Sequence, residues 1–190
     1  GPQQVCRPTI RLIALTGVNC IKKRVLITGA GGFIGSHLAK RLHLSGASVL
    51  GLVRDGRPPA NWQALALEIP SVACDLLNAS GARDKLKRYH FDWIFHLACA
   101  GVTQPYLEFP QLLAVNVEAT QVLTAFAAAE GVERFVYCGS CFEHSYGIPS
   151  RLKSGPGPDT PYSLSKCLAS EVVRYYGRNS ALPAVIVRPF

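Results

Sequence analysis

The chain has 190 residues, of which 48% are hydrophobic, so it is long and apolar enough to bury a core of its own. This composition excludes a disordered or fibrous protein, and no stretch reaches the roughly 18 apolar residues that a membrane-spanning helix needs. The seven cysteines are odd in number and lack the paired spacing of zinc sites, which favours a reduced, cytoplasmic protein. The net charge of +8 is scattered over several segments, so we expect neither a nucleic acid nor a membrane as partner.

Short apolar runs alternate with longer helical stretches along the chain. The pattern predicts strands at residues 24–29, 48–53, 71–76, 92–98, 134–140 and 184–189, and helices at 33–46, 79–90, 109–131 and 161–177. The strands are continuously apolar, so both faces of the sheet should be covered. We therefore predict an α/β fold with a doubly wound parallel sheet of the Rossmann type. The domain should span residues 22–190, after an extension at 1–21 whose Gly1-Pro2 start resembles the remnant of a cleaved tag.

The junction between the first strand and the first helix is rich in glycine. In "VLITGAGGFIGSHL", Gly29 permits a tight turn, Gly32 lets the backbone approach a diphosphate, and Gly35 lets the helix pack closely on the strand. The helix start then offers free N–H groups to phosphate. The segment is therefore predicted to bind a dinucleotide, because the strand and the helix that such a loop requires flank it.

The end of the second strand distinguishes the two nicotinamide dinucleotides. An acidic side chain there accepts hydrogen bonds from the ribose hydroxyls of NAD, whereas a basic one pairs with the 2′-phosphate of NADP. The sequence places Arg54 at this position and Asp55 one residue later. The cofactor is thus predicted to be NAD or NADP, and Arg54 favours NADP.

The candidate catalytic residues lie in the second half of the chain. Tyr162 and Lys166 are four residues apart on one helix face, where an ammonium group lowers the pKa of a phenol and prepares it for proton transfer. Ser140, at the end of a predicted strand, is placed to bind the same substrate oxygen, although a lone serine is more often a turn cap.

Taken together and in this order, these motifs resemble the extended short-chain dehydrogenase/reductase family, and within it the nucleotide-sugar epimerases, dehydratases and reductases. The motifs are Thr28 to Gly35, Asp75-Leu76, "FHLA" at 95–98, Asn116, Ser140 and Tyr162/Lys166, and the similarity runs from Lys23 to Phe190. The resemblance implies that Asp75 and Leu76 border the adenine, that Ala98 lies along the cofactor, and that Asn116 maintains the geometry of the active site. It also implies that Lys166 holds the nicotinamide ribose.

The predicted site residues form a catalytic set and a cofactor-binding set, and no metal is expected. The catalytic set is Ser140, Tyr162 and Lys166. The cofactor-binding set is Thr28, Gly29, Gly32, Phe33, Ile34, Gly35, Arg54, Asp75, Leu76, Leu97, Ala98, Asn116, Tyr162 and Lys166.

Three departures from the family pattern affect what the resemblance implies. Dehydratases of the family carry an Asp-Glu pair directly after the active-site Ser/Thr, where this chain has Cys141 and Phe142, so elimination is disfavoured; Glu143, one residue further, leaves that question open. His144 has no secure counterpart. The chain also stops at Phe190, whereas family members continue into a smaller domain, so the C-terminal substrate domain is expected to be missing or incomplete.

The predicted function is NAD(P)-dependent hydride transfer at C4 of a nucleotide-linked sugar, by a 4-epimerase or a 4-keto reductase. The alternative is a non-catalytic dinucleotide-binding regulator or an RNA-associated protein, consistent with the positive charge. The long Pro/Gly-rich loop at 149–161 is expected to have a function. The helices at 110–130 and 161–177 resemble those through which family members dimerise, but core packing explains their apolar residues equally well, so a homodimer stays open.

Overall fold

Six parallel strands form one sheet in the computed structural model, which describes residues 22–102, 108–143 and 160–189. The strand order is β3-β2-β1-β4-β5-β6. This arrangement confirms the predicted doubly wound parallel sheet. The strands are β1 (Arg24–Thr28), β2 (Ser48–Val53), β3 (Ser71–Ala73), β4 (Trp93–His96), β5 (Arg134–Cys138) and β6 (Ala184–Val187).

The helices follow the strands in alternation. They are α1 (Phe33–Leu44), α2 (Ala60–Ala64), α3 (Ser80–Leu86), α4 (Phe109–Leu113), α5 (Ala119–Ala129) and α6 (Pro161–Asn179). A single π-helical turn, Ala114–Glu118, joins α4 to α5, and short 3-10 turns lie at Leu76–Asn78 and Cys141–Glu143.

The helix predicted at 79–90 ends at Leu86, and β4, β5 and β6 each end two residues earlier than predicted. Three further elements differ from the sequence-based expectation. The third strand ends at Ala73 instead of residue 76, because the Asp75 carboxylate accepts a hydrogen bond from the Leu77 amide at 3.0 Å and starts a 3-10 turn. The helix predicted at 109–131 contains the π turn. The short helix α2 was not predicted, although Pro58 and Pro59 before it are residues that commonly precede or begin a helix.

The sheet is covered on both faces, which explains its continuously apolar strands. On one face, Val25 and Ile27 of β1 pack in a cluster with residues of α1 and α2. On the other face, Leu26 packs in a cluster with residues of α3, α5 and α6. By length and composition alone the continuous helix Phe109–Ala129 would be able to cross a membrane, but its residues Leu123 and Phe126 are buried in this second cluster.

Some of the features predicted from the sequence lie outside the described residues. They are the extension at 1–21, His144 and nearly all of the loop at 149–161.

The crevice for a ligand lies between the carboxyl ends of β1 and β4, where the strand order reverses. Two close backbone contacts shape it. Gly29 has a φ of +68°, and a Cβ on it would lie 2.7 Å from the Ala98 amide nitrogen. A Cβ on Gly35 would lie 2.9 Å from the Gly29 carbonyl carbon, so α1 rests directly on the turn after β1.

A buried polar chain runs under this crevice through His96 at the end of β4. The Thr120 hydroxyl donates to the Asn116 carbonyl at 2.6 Å, so it accepts a hydrogen bond from His96 Nε2 at 2.9 Å. The other ring nitrogen, Nδ1, then accepts from the Thr28 hydroxyl at 2.7 Å, and that hydroxyl accepts from the Ala98 amide at 3.2 Å. The neutral imidazole thus links the turn after β1 to the π turn, and full burial lowers its pKa from 6.5 to about 3.

The first prediction concerns the pH dependence of stability. The folded His96 stays neutral, whereas the same histidine in the unfolded chain binds a proton below pH 6.5. Its contribution is therefore complete above that pH and is lost as the pH falls towards the folded value. We expect the free energy of unfolding, measured in urea, to fall by about 2 kcal/mol between about pH 7 and about pH 5.

The fall should disappear in His96→Gln and persist in His43→Gln, since His43 is exposed on α1. Asp92, whose pKa a hydrogen bond from Arg24 lowers to about 2, contributes only at more acidic pH. Equal stability of the unmodified protein at the two pH values would contradict the neutral, buried histidine.

The second prediction concerns the contact between Gly35 and the turn at Gly29. Gly35→Ala should lower the free energy of unfolding by about 1–3 kcal/mol, because the backbone must move to admit the methyl group. Gly81→Ala is the matched control: a Cβ there meets nothing within 4 Å on α3, so helix propensity should stabilise that variant by up to about 1 kcal/mol. Denaturant unfolding followed by circular dichroism compares them, and similar values for the two variants would refute the close contact.

Candidate active site

The start of α1 presents backbone amides to the crevice. The Gly32 amide donates to the Gly29 carbonyl at 2.9 Å, which closes the turn, and Gly32 begins the helix without a side-chain cap among the described residues. Helix geometry leaves the next amides, those of Phe33, Ile34 and Gly35, without an intrahelical acceptor. The first turn carries no acidic residue, so its positive end is open to an anion. These groups fit the diphosphate of a dinucleotide.

The residues after β2 and β3 lie on one side of this turn. Arg54 is exposed and makes no hydrogen bond or ion pair to another described residue, so its guanidinium is available to a ligand. The carboxylate of Asp55 instead accepts from the Arg57 amide at 3.2 Å. Asp75 caps the 3-10 turn, and Leu76 is buried in the core cluster that faces α3, α5 and α6, so both have structural roles in addition to the predicted contact with adenine.

The residues after β4 lie directly beside the turn. The Leu97 amide donates to the Thr28 carbonyl at 3.2 Å, and its side chain packs on the cluster beneath α1. The Ala98 amide donates to the Thr28 hydroxyl. Both residues therefore lie beside the glycine turn, and their contact with a cofactor stays a prediction.

Asn116 is buried in the π turn and ties two parts of the site together. Its side-chain oxygen accepts from the Ala100 amide at 2.8 Å, and its nitrogen donates to the Ala100 carbonyl at 3.1 Å and to the Ser165 hydroxyl at 2.9 Å. Ser165 in turn donates to the Tyr162 carbonyl at 2.7 Å. The segment after β4 is thus fixed to the first turn of α6, and the role of Asn116 in maintaining the geometry of an active site stays a prediction.

Ser140 lies just after β5, with its hydroxyl accepting from the Phe142 amide at 3.3 Å. It therefore caps a turn as well as facing Tyr162. Its amide donates at 2.8 Å to the carboxylate of Glu143, which also accepts from Ser170 at 2.7 Å and from Arg188 at 2.8 Å. Glu143 is thus a buried structural residue that holds Ser140 in place.

Tyr162 is half-buried in the first turn of α6. The pKa of its phenol is raised to about 12, with burial as the main cause and the nearby Cys99 as a smaller one, while the Ser140 side chain acts in the opposite direction. Two contacts that the sequence did not predict enclose its ring. The Phe142 ring lies edge-on with centroids 6.5 Å apart, and a Cβ on Gly101 would lie 3.0 Å from the Tyr162 ring.

Lys166 lies one helical turn further and is buried. Its ammonium donates to the Cys138 carbonyl at 2.7 Å and lies 4.4 Å from the centroid of the Tyr137 ring, and burial lowers its pKa. The sequence predicts that this ammonium lowers the pKa of the Tyr162 phenol. In the structure the pKa of Tyr162 is raised instead, and burial is the main cause. The helical spacing brings the two residues onto one face, but the Lys166 head group turns towards the end of β5.

The arrangement has two ends with the glycine turn between them. Because β3 and β2 lie on one side of β1 while β4 and β5 lie on the other, Arg54 and Asp75 are at one end and Ser140, Tyr162 and Lys166 at the other. A phenol and a hydroxyl facing each other near an anion-binding turn are able to bind an oxygen atom and exchange a proton with it.

Comparison with known proteins places this site in a family. The model of the NAD dependent epimerase/dehydratase family matches residues 25–190. UDP-arabinose 4-epimerase 1 of Arabidopsis thaliana is 26% identical over 180 residues, which cover 87% of this chain and 42% of that protein. Cinnamoyl-CoA reductase 1 of Oryza sativa subsp. japonica is 36% identical over 124 residues, covering 63% of this chain and 35% of that protein.

Among solved structures, UDP-glucuronic acid 4-epimerase from Bacillus cereus in complex with NAD superposes with a TM-score of 0.67 and 26% identity, covering 87% of this chain and 56% of that one. The chain thus spans from about a third to a little over half of the proteins named here. The family match confirms the resemblance that the motifs indicated. The chain belongs to the NAD-dependent epimerase/dehydratase family.

Proposed function

We propose that this chain provides the dinucleotide-binding part of an NAD(P)-dependent enzyme that moves hydride at C4 of a nucleotide-linked sugar. The observation that carries the proposal is the position of Tyr162 near Ser140, at the same edge of the sheet as the glycine turn. The relatives support the same chemistry, since several are named as 4-epimerases of UDP-sugars.

In this proposal, the bound nicotinamide dinucleotide supplies or accepts the hydride. The Ser140 hydroxyl orients the sugar oxygen, and the Tyr162 phenol exchanges a proton with it. The buried ammonium of Lys166 adds positive charge beneath the site, and Asn116 keeps the segment after β4 in register with α6. The amides of Phe33, Ile34 and Gly35 hold the diphosphate.

The direction of proton transfer is suggested by the pKa of about 12 for Tyr162. A phenol with this pKa keeps its proton at neutral pH and is prepared to give it to a carbonyl oxygen while the carbon is reduced. Oxidation of an alcohol needs the phenolate, so it should become faster as the pH rises. The residues therefore favour the reduction of a 4-keto sugar, either as the whole reaction or as the second half of an epimerisation.

Elimination of water is disfavoured by the surroundings of Ser140. Cys141 and Phe142 occupy the positions at which family dehydratases carry their acid pair. The carboxylate of Glu143, the remaining candidate, accepts hydrogen bonds from the Ser140 amide, the Ser170 hydroxyl and the Arg188 guanidinium. It is therefore occupied by structural contacts and is not placed to act as a general acid or base. These surroundings support hydride transfer without dehydration.

We further propose that NADP is preferred over NAD. Arg54 directly follows β2 and makes no hydrogen bond or ion pair to another described residue, while the Asp55 carboxylate accepts from the Arg57 amide, so the guanidinium is available to a 2′-phosphate. A cytoplasmic location and a homodimer formed through α5 and α6 stay predictions.

The catalytic assignment is tested with Tyr162→Phe. A protein that joins this chain to a substrate domain of the family is incubated with the oxidised or reduced dinucleotide and a UDP-sugar or its 4-keto form. Absorbance of the reduced nicotinamide reports net reduction, and chromatography of the two C4 epimers reports epimerisation, which causes no net change in that absorbance. Removal of the phenol should lower turnover by about 100-fold or more, while the dissociation constant of the dinucleotide changes less than about twofold. Tyr175→Phe, exposed on the same helix, is the control and should behave like the unmodified protein. Undiminished turnover in Tyr162→Phe would refute the proton-transfer role.

The cofactor preference is tested with Arg54→Ala. Calorimetric titration should show NADPH binding weakened by about tenfold or more, with NADH binding nearly unchanged, because only the 2′-phosphate loses its partner. Arg178→Ala removes the same charge from the far end of α6 and should change neither affinity. Tighter binding of NADH than NADPH by the unmodified chain would contradict the preference.

A further inference from the structure

The short helix α2 packs on the same face of the sheet as α1 and contacts the glycine turn. Trp62 is 3% exposed, and its indole N–H donates to the Ala30 carbonyl at 2.8 Å. Asn61 is exposed, and its side-chain amide donates to the Gly31 carbonyl, also at 2.8 Å. Two consecutive carbonyls of the turn are therefore held by two consecutive side chains about 30 residues later in the sequence.

Two glycines make room for this contact. A Cβ on Gly51, inside β2, would lie 2.7 Å from the Trp62 ring, so the absence of a side chain on this central strand admits the indole. A Cβ on Gly31 would lie 2.7 Å from the Pro59 ring, which packs against the turn just before α2. Glycine in a strand interior otherwise weakens the strand, so the contact with Trp62 gives a reason for Gly51 within β2.

The contact fixes the orientation of two peptide planes. A peptide whose carbonyl is hydrogen-bonded on the α2 side cannot rotate to point that oxygen at the crevice without leaving the indole or amide donor unpaired. A carbonyl oxygen beside a diphosphate repels it, whereas an amide N–H attracts it. The two donors on α2 thus keep the carbonyl oxygens of Ala30 and Gly31 away from the anion.

We propose that Trp62 and Asn61 are positioning residues of the diphosphate site. They act through the peptide orientation of the glycine turn, while the amides at the start of α1 bind the ligand. This inference rests on the proposed function in that it requires the chain to bind a dinucleotide.

Packing alone is the competing explanation, since Trp62 also belongs to the core cluster beneath α1. The chain contains two tryptophans, and the second provides the matched control. Trp93 is buried in the same cluster but lies at the amino end of β4, away from the crevice. Trp62→Phe and Trp93→Phe both remove a buried indole, but only the first removes the hydrogen bond to Ala30.

The experiment titrates the full 190-residue chain and its variants with NADPH and NADH by calorimetry, at a temperature where circular dichroism shows each variant folded. Trp62→Phe should raise the dissociation constant by about tenfold, as expected for one lost hydrogen bond that orients a binding group. Trp93→Phe should change it by less than about twofold. Hydrogen exchange of the peptide that contains residues 29–36 should be faster in Trp62→Phe than in Trp93→Phe.

Asn61→Ala keeps the proposal testable if Trp62→Phe fails to fold, because Asn61 is exposed and its loss should hardly affect stability. Asn61→Ala should weaken binding about threefold to tenfold, and Gln63→Ala, exposed on the same helix, should leave it unchanged. Unchanged affinity in both Trp62→Phe and Asn61→Ala would overturn this inference and leave the proposed function intact. Failure of the unmodified chain to bind either dinucleotide would overturn both.

Discussion

The near contact of three backbone segments at the carboxyl end of β1 is the constraint on which the rest of the molecule depends. The turn at Gly29 has to pass beside Ala98 and beneath Gly35, with no side chain between them. This approach places the start of α1 over the crevice and brings the end of β4 alongside it. The chain beneath the crevice, from Ala98 through Thr28 and His96 to Thr120, then fixes the spacing between the turn and the helix that carries Asn116.

The two ends of the site are stabilised in different ways. At the end formed by β2 and β3, polar groups near the surface bind their neighbours through local turns, and Arg54 extends into solvent. At the end formed by β5 and α6, the polar groups are buried and depend on each other. The Glu143 carboxylate accepts a hydrogen bond from the Ser140 amide, and the Lys166 ammonium donates one to the carbonyl of Cys138 at the end of β5. An exposed end suits recognition of a charged group, whereas a buried end suits proton transfer, which needs fixed distances and little water.

Local patterns were sufficient to predict the doubly wound parallel sheet, the glycine turn and the common helix face of Tyr162 and Lys166. Each of these features depends on residues close in sequence. The π turn was not visible, since Asn116 enters the site only through partners at Ala100 and Ser165. The rise in the pKa of Tyr162 was also missed, because burial is a property of the assembled site. The role of Trp62 depends on Gly51 and Ala30, which the sequence separates from it but the sheet brings together.

The π turn also determines how this helix tolerates changes in length. A π turn accommodates one more residue than an α-helical turn would, and here that extra residue lets the Asn116 side chain reach inward. Loss of a single residue between 114 and 118 would restore a regular α-helix and leave the flanking turns nearly in place, but it would remove the wide turn from which Asn116 reaches Ala100 and Ser165. A deletion in this segment should therefore disturb the link between the segment after β4 and α6 more than it disturbs the helix, which would become more regular.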